Sequence, residues 1–428
     1  MKMAGKNLTK ISQSSLSMYL AYAVQKGCVF LLAAVIARRI GPAGLGLYCL
    51  ALVLLDLGLR LAVFGTDILV VRDLSSAQPD VRRLLGNSLS FRIIAGVLVS
   101  PLLVLAASLL SESPDLPLMV AIMGAGMVAQ GAGELFLSVA QGRERVDLSA
   151  LALSVTGAAG LGLALAALAA GLGLIGVAAA YSLRGAIGLL LGMGICSRLG
   201  ERIRGRFETA FIRRMLVRSA PIGLDRFLTV LYLGSGMAVL QYFRGAADVG
   251  YFAGAMKLFE AGGAFGMLTM TAAFPTIARL HATMKEELRA TARKFIRLFC
   301  WLGIPISVAV ALNAGRILVL LFGPEFINAG SALGILMLAV PLSLNSGLVE
   351  RLAYAANDQK RVLLIRALGS ATNLILIFSL INRLDYVAPA LAILGAEAVM
   401  FLLYLYRSGT YVPGLNFLRS AFTRQREP

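Results

Sequence analysis

Apolar residues fall into twelve blocks of about 20 residues, separated by shorter polar or charged stretches. The blocks are Leu16–Ile40, Leu47–Val71, Leu89–Leu110, Leu116–Ala140, Leu148–Ala170, Leu174–Ser197, Pro221–Phe243, Tyr251–Phe274, Leu298–Leu321, Ala332–Tyr354, Val362–Ile381 and Tyr386–Tyr406. An α-helix needs about 20 residues to cross roughly 30 Å of hydrocarbon. Because strand-like alternation is absent, the pattern predicts twelve transmembrane helices and an all-α integral membrane protein.

The composition agrees with this interpretation. Hydrophobic residues make up 58% of the 428 residues and charged residues 14%, against about 25% charged in a typical soluble domain. Soluble, fibrous and disordered classes are therefore excluded. The excess of 40 Lys and Arg over 22 Asp and Glu is assigned to cytoplasmic loops rather than to nucleic acid, so no nucleic-acid partner is expected.

The basic residues lie at the N-terminus, in every second loop and in the tail. The alternate loops at 111–114 and 171–173 contain no Lys or Arg. Both termini are therefore predicted to be cytoplasmic. The charged stretch at 276–297 is predicted to be a long cytoplasmic loop that contains an amphipathic helix along the inner membrane surface.

No cofactor or metal site is predicted. The four cysteines lie in apolar blocks at unrelated spacings, and His281 is the single histidine, in a charged loop. Neither pattern fits a zinc site or a disulfide framework. The predicted outer loops are too short for a catalytic domain, so an enzyme is not expected.

Two halves of six helices each share a short repeat. The turn Gly41–Tyr48 aligns without a gap with Gly245–Phe252, and the alignment continues to match Asp56 with Glu260. Parallel repeats of this kind are typical of transporters that expose a substrate alternately to each side of the membrane. The predicted organisation follows from the spans. It is an N-lobe at 1–197, a basic cytoplasmic linker at 198–220, a C-lobe at 221–406 and a cytoplasmic tail at 407–428.

Two turns carry a family resemblance. ARRIGPAGLGLY at Ala37–Tyr48 resembles the signature that follows the first helix of polysaccharide flippases, and LFGPEFINAG at Leu321–Gly330 resembles their later turn. The spacing between the two turns, the twelve spans and the basic N-terminus also agree. The chain therefore resembles the oligosaccharide flippase branch of the superfamily that includes lipid II flippases and multidrug-and-toxin extruders.

The resemblance implies a V-shaped bundle of two six-helix lobes in a bacterial inner membrane. It implies transport of a polyprenyl-pyrophosphate-linked oligosaccharide from the inner to the outer leaflet for cell-surface polysaccharide synthesis, without covalent chemistry. It also admits glycan polymerase and chain-length machinery as partners. In the family, helices one, two, seven and eight border the central cavity.

Charges in those four helices are the candidate site, since a charge at the bilayer centre costs roughly 2.5–3.5 kcal/mol on insertion scales. Four are basic and three acidic, which favours an anionic ligand. The basic residues are Lys26, Arg60, Arg226 and Lys257, and the acidic residues are Asp56, Asp225 and Glu260. Lys26 is the first candidate for a phosphate contact, because its own helix offers no acidic neighbour one turn away.

Alternatives stay open for the other residues. Asp56 and Arg60 lie four positions apart, and Lys257 and Glu260 lie three apart, so either local pairing or ligand binding fits them. The acidic residues are either proton- or sodium-coupling groups or salt-bridge partners. Arg226 either binds substrate or extends to the cytoplasmic surface.

Three other functions compete with the flippase. A multidrug or cation antiporter of the same superfamily is expected to have an acidic, aromatic cavity. A polytopic glycan polymerase or glycosyltransferase needs a sizeable extramembrane loop, which this chain lacks. A non-transporting scaffold is expected to tolerate neutralisation of Lys26, Arg60 and Lys257 together.

Overall fold

The computed structural model describes residues 2–75, 81–201 and 203–412, which contain helices and no strand. The first seven helices are α1 (Lys2–Val63), α2 (Thr66–Ser75), α3 (Val81–Leu110), α4 (Asp115–Gly142), α5 (Val146–Ala169), α6 (Gly173–Arg198) and α7 (Thr209–Phe243). The others are α8 (Ala246–Thr283), α9 (Lys285–Leu298), α10 (Ile304–Leu312), α11 (Ala314–Phe322), α12 (Gly330–Ala355), α13 (Gln359–Leu384) and α14 (Ala388–Tyr411). The predicted all-α membrane fold is confirmed.

The first predicted span and most of the second lie in one helical run, α1. The second predicted span, Leu47–Val71, continues past the end of α1 at Val63, through the break at Phe64 and Gly65, into α2. The apolar part of α1, Ser17–Val63, has 47 residues and is about 70 Å long at 1.5 Å per residue, twice the hydrocarbon thickness. Gly41 interrupts this run with φ 84° and ψ −174°. Only glycine adopts such a conformation at low cost, so the break separates two crossings.

The helical run that contains the ninth predicted span begins before the span itself. Leu298–Leu321 was the expected span, and the structure has a continuous run from Lys285 to Leu312, with α11 following after Asn313. A π-helical turn at Phe299–Gly303 joins the charged helix α9 to the apolar helix α10. The predicted loop at 276–297 is therefore helical except at Met284, and its amphipathic part leads directly into a span.

The chain folds into two compact units. The first unit contains residues 1–40 and 47–230, and the second contains residues 41–46 and 231–428. The division falls inside α7, after Val230. The predicted lobe boundaries stay a prediction, and most of the predicted tail at 407–428 lies outside the described residues.

Small residues hold the helices of the first unit close together. A Cβ added to Gly126 would lie 2.6 Å from the Cα of Ser182, and one added to Gly133 would lie 3.2 Å from the Gly188 carbonyl carbon. These positions are on α4 and α6, which pack against each other along their length. Close backbone approach through Gly and Ser is typical of helix packing in membranes.

The second unit contains a contact between the two repeated turns. Gly41 (φ 84°, ψ −174°) and Gly245 (φ 92°, ψ −178°) have nearly the same backbone conformation. A Cβ on Gly46 would overlap the carbonyl oxygen of Ala246, and one on Gly250 would overlap that of Pro42. The two turns can approach this closely only because both matched positions are glycine.

We expect Gly250→Ala to lower the midpoint of thermal unfolding in detergent, since overpacking costs about 1–3 kcal/mol. Gly263 is the matched control on the same helix, because a Cβ there meets nothing within 4 Å. Gly263→Ala should leave the midpoint unchanged or raise it through helix propensity. Equal midpoints for the two variants would contradict the close contact at Gly250.

Candidate functional site

Charged side chains from five helices meet in the first unit. This first-unit cluster consists of Asp56, Arg60, Asp67, Arg92, Glu134 and Arg226, whose charges act on one another. The residues come from α1, α2, α3, α4 and α7. Three positive charges therefore face three negative charges, so the cluster is electrically balanced.

Arg60 pairs with Asp56, as the four-residue spacing allows. Its Nη2 lies 2.7 Å and its Nε 3.0 Å from Asp56 Oδ1. The side chains are 23% and 43% exposed, so the pair is reachable from outside the unit. The geometry therefore contains the local ion pair, and ligand binding by Arg60 stays a prediction.

Arg226 also has an acidic partner, Asp67, which the sequence pattern did not reveal. Its Nη1 donates to Asp67 Oδ2 at 2.6 Å, across 159 residues of sequence. Asp67 stands one residue after α2 begins, beyond a break where Phe64 and Gly65 both have positive φ. Neighbouring Asp225 is partly buried, and its backbone carbonyl accepts a hydrogen bond from the Thr229 hydroxyl.

Arg92 is the second site residue that the sequence pattern did not reveal. It is 1% exposed. Its Nε and Nη2 donate to Thr66 Oγ1 at 3.1 and 2.9 Å, and its Nη1 donates to the Gly131 carbonyl at 3.0 Å. Arg92 thus joins α3 to α2 and α4. A search for every charge inside the apolar blocks would have found both Arg92 and Asp67.

Lys26 differs from the other candidates. It lies on α1 with an exposed side chain, and within the described part of the chain no carboxylate pairs with it. The helix period predicts that Lys26 has no acidic partner on its own helix. The positions three and four residues away, 22, 23, 29 and 30, are Tyr, Ala, Val and Phe. Lys26 therefore carries a positive charge that no carboxylate among the described residues pairs with.

A polar chain runs beside the first-unit cluster. The Tyr181 hydroxyl donates to Gln130 Oε1 at 3.2 Å, and Gln130 Nε2 donates to Glu134 Oε1 at 3.0 Å. The Arg184 guanidinium lies 5.6 Å from the Tyr181 ring centroid. Gln130 therefore forms a hydrogen bond between α4 and α6.

In the second unit Lys257 pairs with Glu260. Lys257 Nζ lies 3.3 Å from Glu260 Oε2, and the side chains are 12% and 34% exposed. This is the pairing that the three-residue spacing allowed. Coupling of Glu260 to an ion gradient stays a prediction.

The second unit also contains a half-open cavity of about 170 Å³ that has charged side chains in its lining. Glu350, Arg366 and Glu397 line it, and Arg366 Nη2 donates to Glu350 Oε2 at 2.8 Å. Glu397 is buried and accepts a hydrogen bond from the Tyr232 hydroxyl at 3.0 Å. Asn373 Nδ2 donates to the Tyr232 carbonyl at 3.0 Å, so the carboxyl group is held by a network across α7, α13 and α14.

The stretch between α6 and α7 is tied to the first unit. Arg83 Nε donates to Glu208 Oε2 at 2.8 Å, and the Glu208 backbone N–H donates to Asn87 Oδ1 at 2.7 Å. The hydrogen bond from Arg83 lowers the pKa of Glu208 below its ordinary value. Arg218 Nη2 lies 3.1 Å from Asp73 Oδ2. The predicted linker at 198–220 therefore docks on α2 and α3, and its second half belongs to α7.

The sequence profile of the family described as polysaccharide biosynthesis protein matches residues 11–281, more than half of the chain. The chain belongs to this family. A second profile, that of the lipid II flippase MurJ, matches residues 251–421. No curated protein matches the chain. The resemblance to polysaccharide and lipid-linked flippases is therefore confirmed, and the protein is a non-catalytic transporter.

Solved structures share the fold at low sequence identity. The lipid II flippase MurJ in an inward closed conformation is 13% identical, with a TM-score of 0.76 over 94% of this chain and 89% of that chain. An inward-facing MATE multidrug transporter is 14% identical, with a TM-score of 0.73 over 94% and 98%. A MOP superfamily transporter from Pyrococcus furiosus is 15% identical, with a TM-score of 0.66 over 94% and 96%.

We expect Arg92→Ala to reduce the free energy of unfolding by at least about 2 kcal/mol, because hydrogen bonds from a buried charged group are lost. Thermal unfolding of the purified protein checks this. Arg82→Ala on the same helix is the control, since Arg82 is exposed. If the two variants unfold at the same temperature, Arg92 does not join the three helices.

Proposed function

We propose that the protein moves a polyprenyl-pyrophosphate-linked oligosaccharide from the cytoplasmic to the outer leaflet of a bacterial inner membrane. It would supply cell-surface polysaccharide synthesis, with both termini in the cytoplasm. The observation that carries the proposal is Lys26, an exposed and unmatched positive charge on α1 within the described residues. Membership of the polysaccharide biosynthesis protein family supports it.

The physical requirement is compensation for lost hydration. A diphosphate that leaves water for the interior of a helical bundle needs charged partners, because burial of an unpaired charge is costly. One cation at 4 Å contributes about 4 kcal/mol at an effective dielectric of 20, before desolvation is deducted. Lysine serves as a point charge, and arginine can bind two phosphate oxygens at once.

The remaining candidates have assigned roles in this proposal. Arg60 and Arg226 in the first unit and Lys257 in the second unit are further candidate substrate-binding cations. Their partners in the structure are Asp56, Asp67 and Glu260, respectively. Asp56, Glu260 and Asp225 are the candidate groups that couple transport to a proton or sodium gradient or form structural pairs. Alternating access exposes the site to each leaflet in turn, and glycan polymerase and chain-length proteins would receive the product.

A multidrug or cation antiporter is the competing function, because MATE transporters share the fold over most of the chain. The balanced first-unit cluster supplies carboxylates as well as guanidinium groups, so a cationic substrate has possible partners. Export of a fluorescent cation from vesicles, with unchanged glycan display, would favour this function over the flippase.

Deletion of the gene should strand the lipid-linked repeat unit on the inner leaflet, and Lys26→Ala should reproduce at least part of that defect. Leaflet-specific labelling of the lipid-linked sugar in cells measures the fraction of the repeat unit that stays on the inner leaflet. Lys26→Arg should restore transport because the charge returns. Lys360→Ala, at an exposed position in the first turn of α13, is the control that should transport normally.

A normal distribution of the lipid-linked sugar between the leaflets in Lys26→Ala cells would contradict a role of Lys26 in substrate binding. Normal transport after simultaneous neutralisation of Lys26, Arg60 and Lys257 would contradict a cationic site altogether. That outcome would favour a scaffold role in glycan assembly, provided that the deletion still blocks display.

A further inference from the structure

Asp67 holds Arg226 in an unusual way. One carboxylate oxygen, Oδ2, accepts the short hydrogen bond from Arg226 at 2.6 Å. The other, Oδ1, is buried and accepts no hydrogen bond from the described residues. A carboxylate normally accepts hydrogen bonds on both oxygens when buried. Among the described residues, the Oδ1 atom of Asp67 therefore lacks the hydrogen bond that a buried carboxylate oxygen normally accepts. Leaving the pair costs Asp67 the hydrogen bond from Arg226 and the attraction between the two charges.

A second positive charge lies beside this pair. Arg92 is buried and feels the Asp67 carboxylate, although its N–H groups donate to Thr66 Oγ1 and the Gly131 carbonyl instead. Asp67 thus faces two guanidinium groups, and Glu134 also acts on Arg92. Removal of Asp67 leaves the two guanidinium groups with a net positive charge, which attracts a more highly charged anion more strongly than a less charged one.

The pair is also positioned for exchange. The Arg226 side chain is 32% exposed and that of Asp67 is 19% exposed, so Arg226 can be reached while Arg92 stays enclosed. Asp67 lies in the first turn of α2, directly after the backbone break at Phe64 and Gly65. Arg92, by contrast, is fixed by hydrogen bonds to two helices. The contact between Asp67 and Arg226 is therefore more open to exchange than the contacts of Arg92.

We propose that Asp67 is an exchangeable counter-ion that occupies Arg226 until a diphosphate group displaces it. The inference rests on the proposed function, because it takes the diphosphate as ligand class, and it assigns to Asp67 the control of that site. Arg226 is the residue that contacts phosphate oxygen. Arg92 keeps a positive charge beside the position that the Asp67 carboxylate leaves. The strength of the Asp67–Arg226 pair sets how tightly a ligand must bind Arg226 in order to displace Asp67.

The test measures binding of inorganic diphosphate to the purified full-length protein in detergent by isothermal titration calorimetry. Asp67→Asn keeps the shape of the side chain and removes its charge. We expect it to bind diphosphate about tenfold more tightly than the natural protein, the fold-change that corresponds to one lost charge-assisted hydrogen bond. The affinity for orthophosphate, which carries less charge than diphosphate, should increase less in the same variant.

Two further variants make the result specific. The double variant Asp67→Asn with Arg226→Ala should not bind diphosphate more tightly than the natural protein, because the guanidinium group of Arg226 is absent. Asp73→Asn is the matched control on α2, since Asp73 pairs with Arg218, and it should bind diphosphate as the natural protein does. Unchanged or weaker binding by folded Asp67→Asn, or a gain that survives removal of Arg226, would overturn the proposal.

Failure of this proposal differs from failure of the proposed function. Absence of diphosphate binding in all variants would overturn the exchange at Asp67, while leaflet labelling in deletion cells would still report on the flippase. If the natural protein and Asp67→Asn behave as expected but deletion cells display glycan normally, the anion site stands and the flippase function is wrong.

Discussion

The constraint on which the structure depends is the cost of a charge away from water. On insertion scales, each charged side chain at the centre of a transmembrane helix costs roughly 2.5–3.5 kcal/mol. This cost is large compared with the free energy of unfolding of a folded protein. The protein meets it by pairing: Arg60 with Asp56, Arg226 with Asp67, Lys257 with Glu260 and Arg366 with Glu350. Arg92 is instead enclosed by oxygen acceptors.

The shared fold alone does not identify the substrate of this protein. The MATE transporter, MurJ and this chain share a helical architecture at 13–14% identity, so the shared backbone does not select the substrate. In the function proposed above, selection would depend on intramembrane charges that lack an internal partner or exchange it. In the described part of this chain, no carboxylate pairs with Lys26, and the Asp67–Arg226 pair is the one that we propose to exchange.

The sequence predicted what depends on local periodicity. Span length and hydropathy predicted the helices, and the spacing of Asp56 with Arg60 and of Lys257 with Glu260 allowed their ion pairs. Partners far apart in the chain were missed: Asp67 and Arg226 are 159 residues apart, and no helix period relates them. Hydropathy did not predict that the charged helix α9 and the apolar helix α10 form one continuous run, which the π-helical turn at Phe299–Gly303 joins.

The most direct test of the cationic site uses proteoliposomes and three lipids that share one glycan and one polyprenyl tail. The lipids carry a diphosphate, a monophosphate or a neutral link between glycan and tail, and leaflet transfer of each is measured with a fluorescent sugar label. If positive side chains compensate the headgroup for its lost hydration, the diphosphate lipid moves fastest and the neutral lipid slowest. Equal rates for all three lipids would contradict the account.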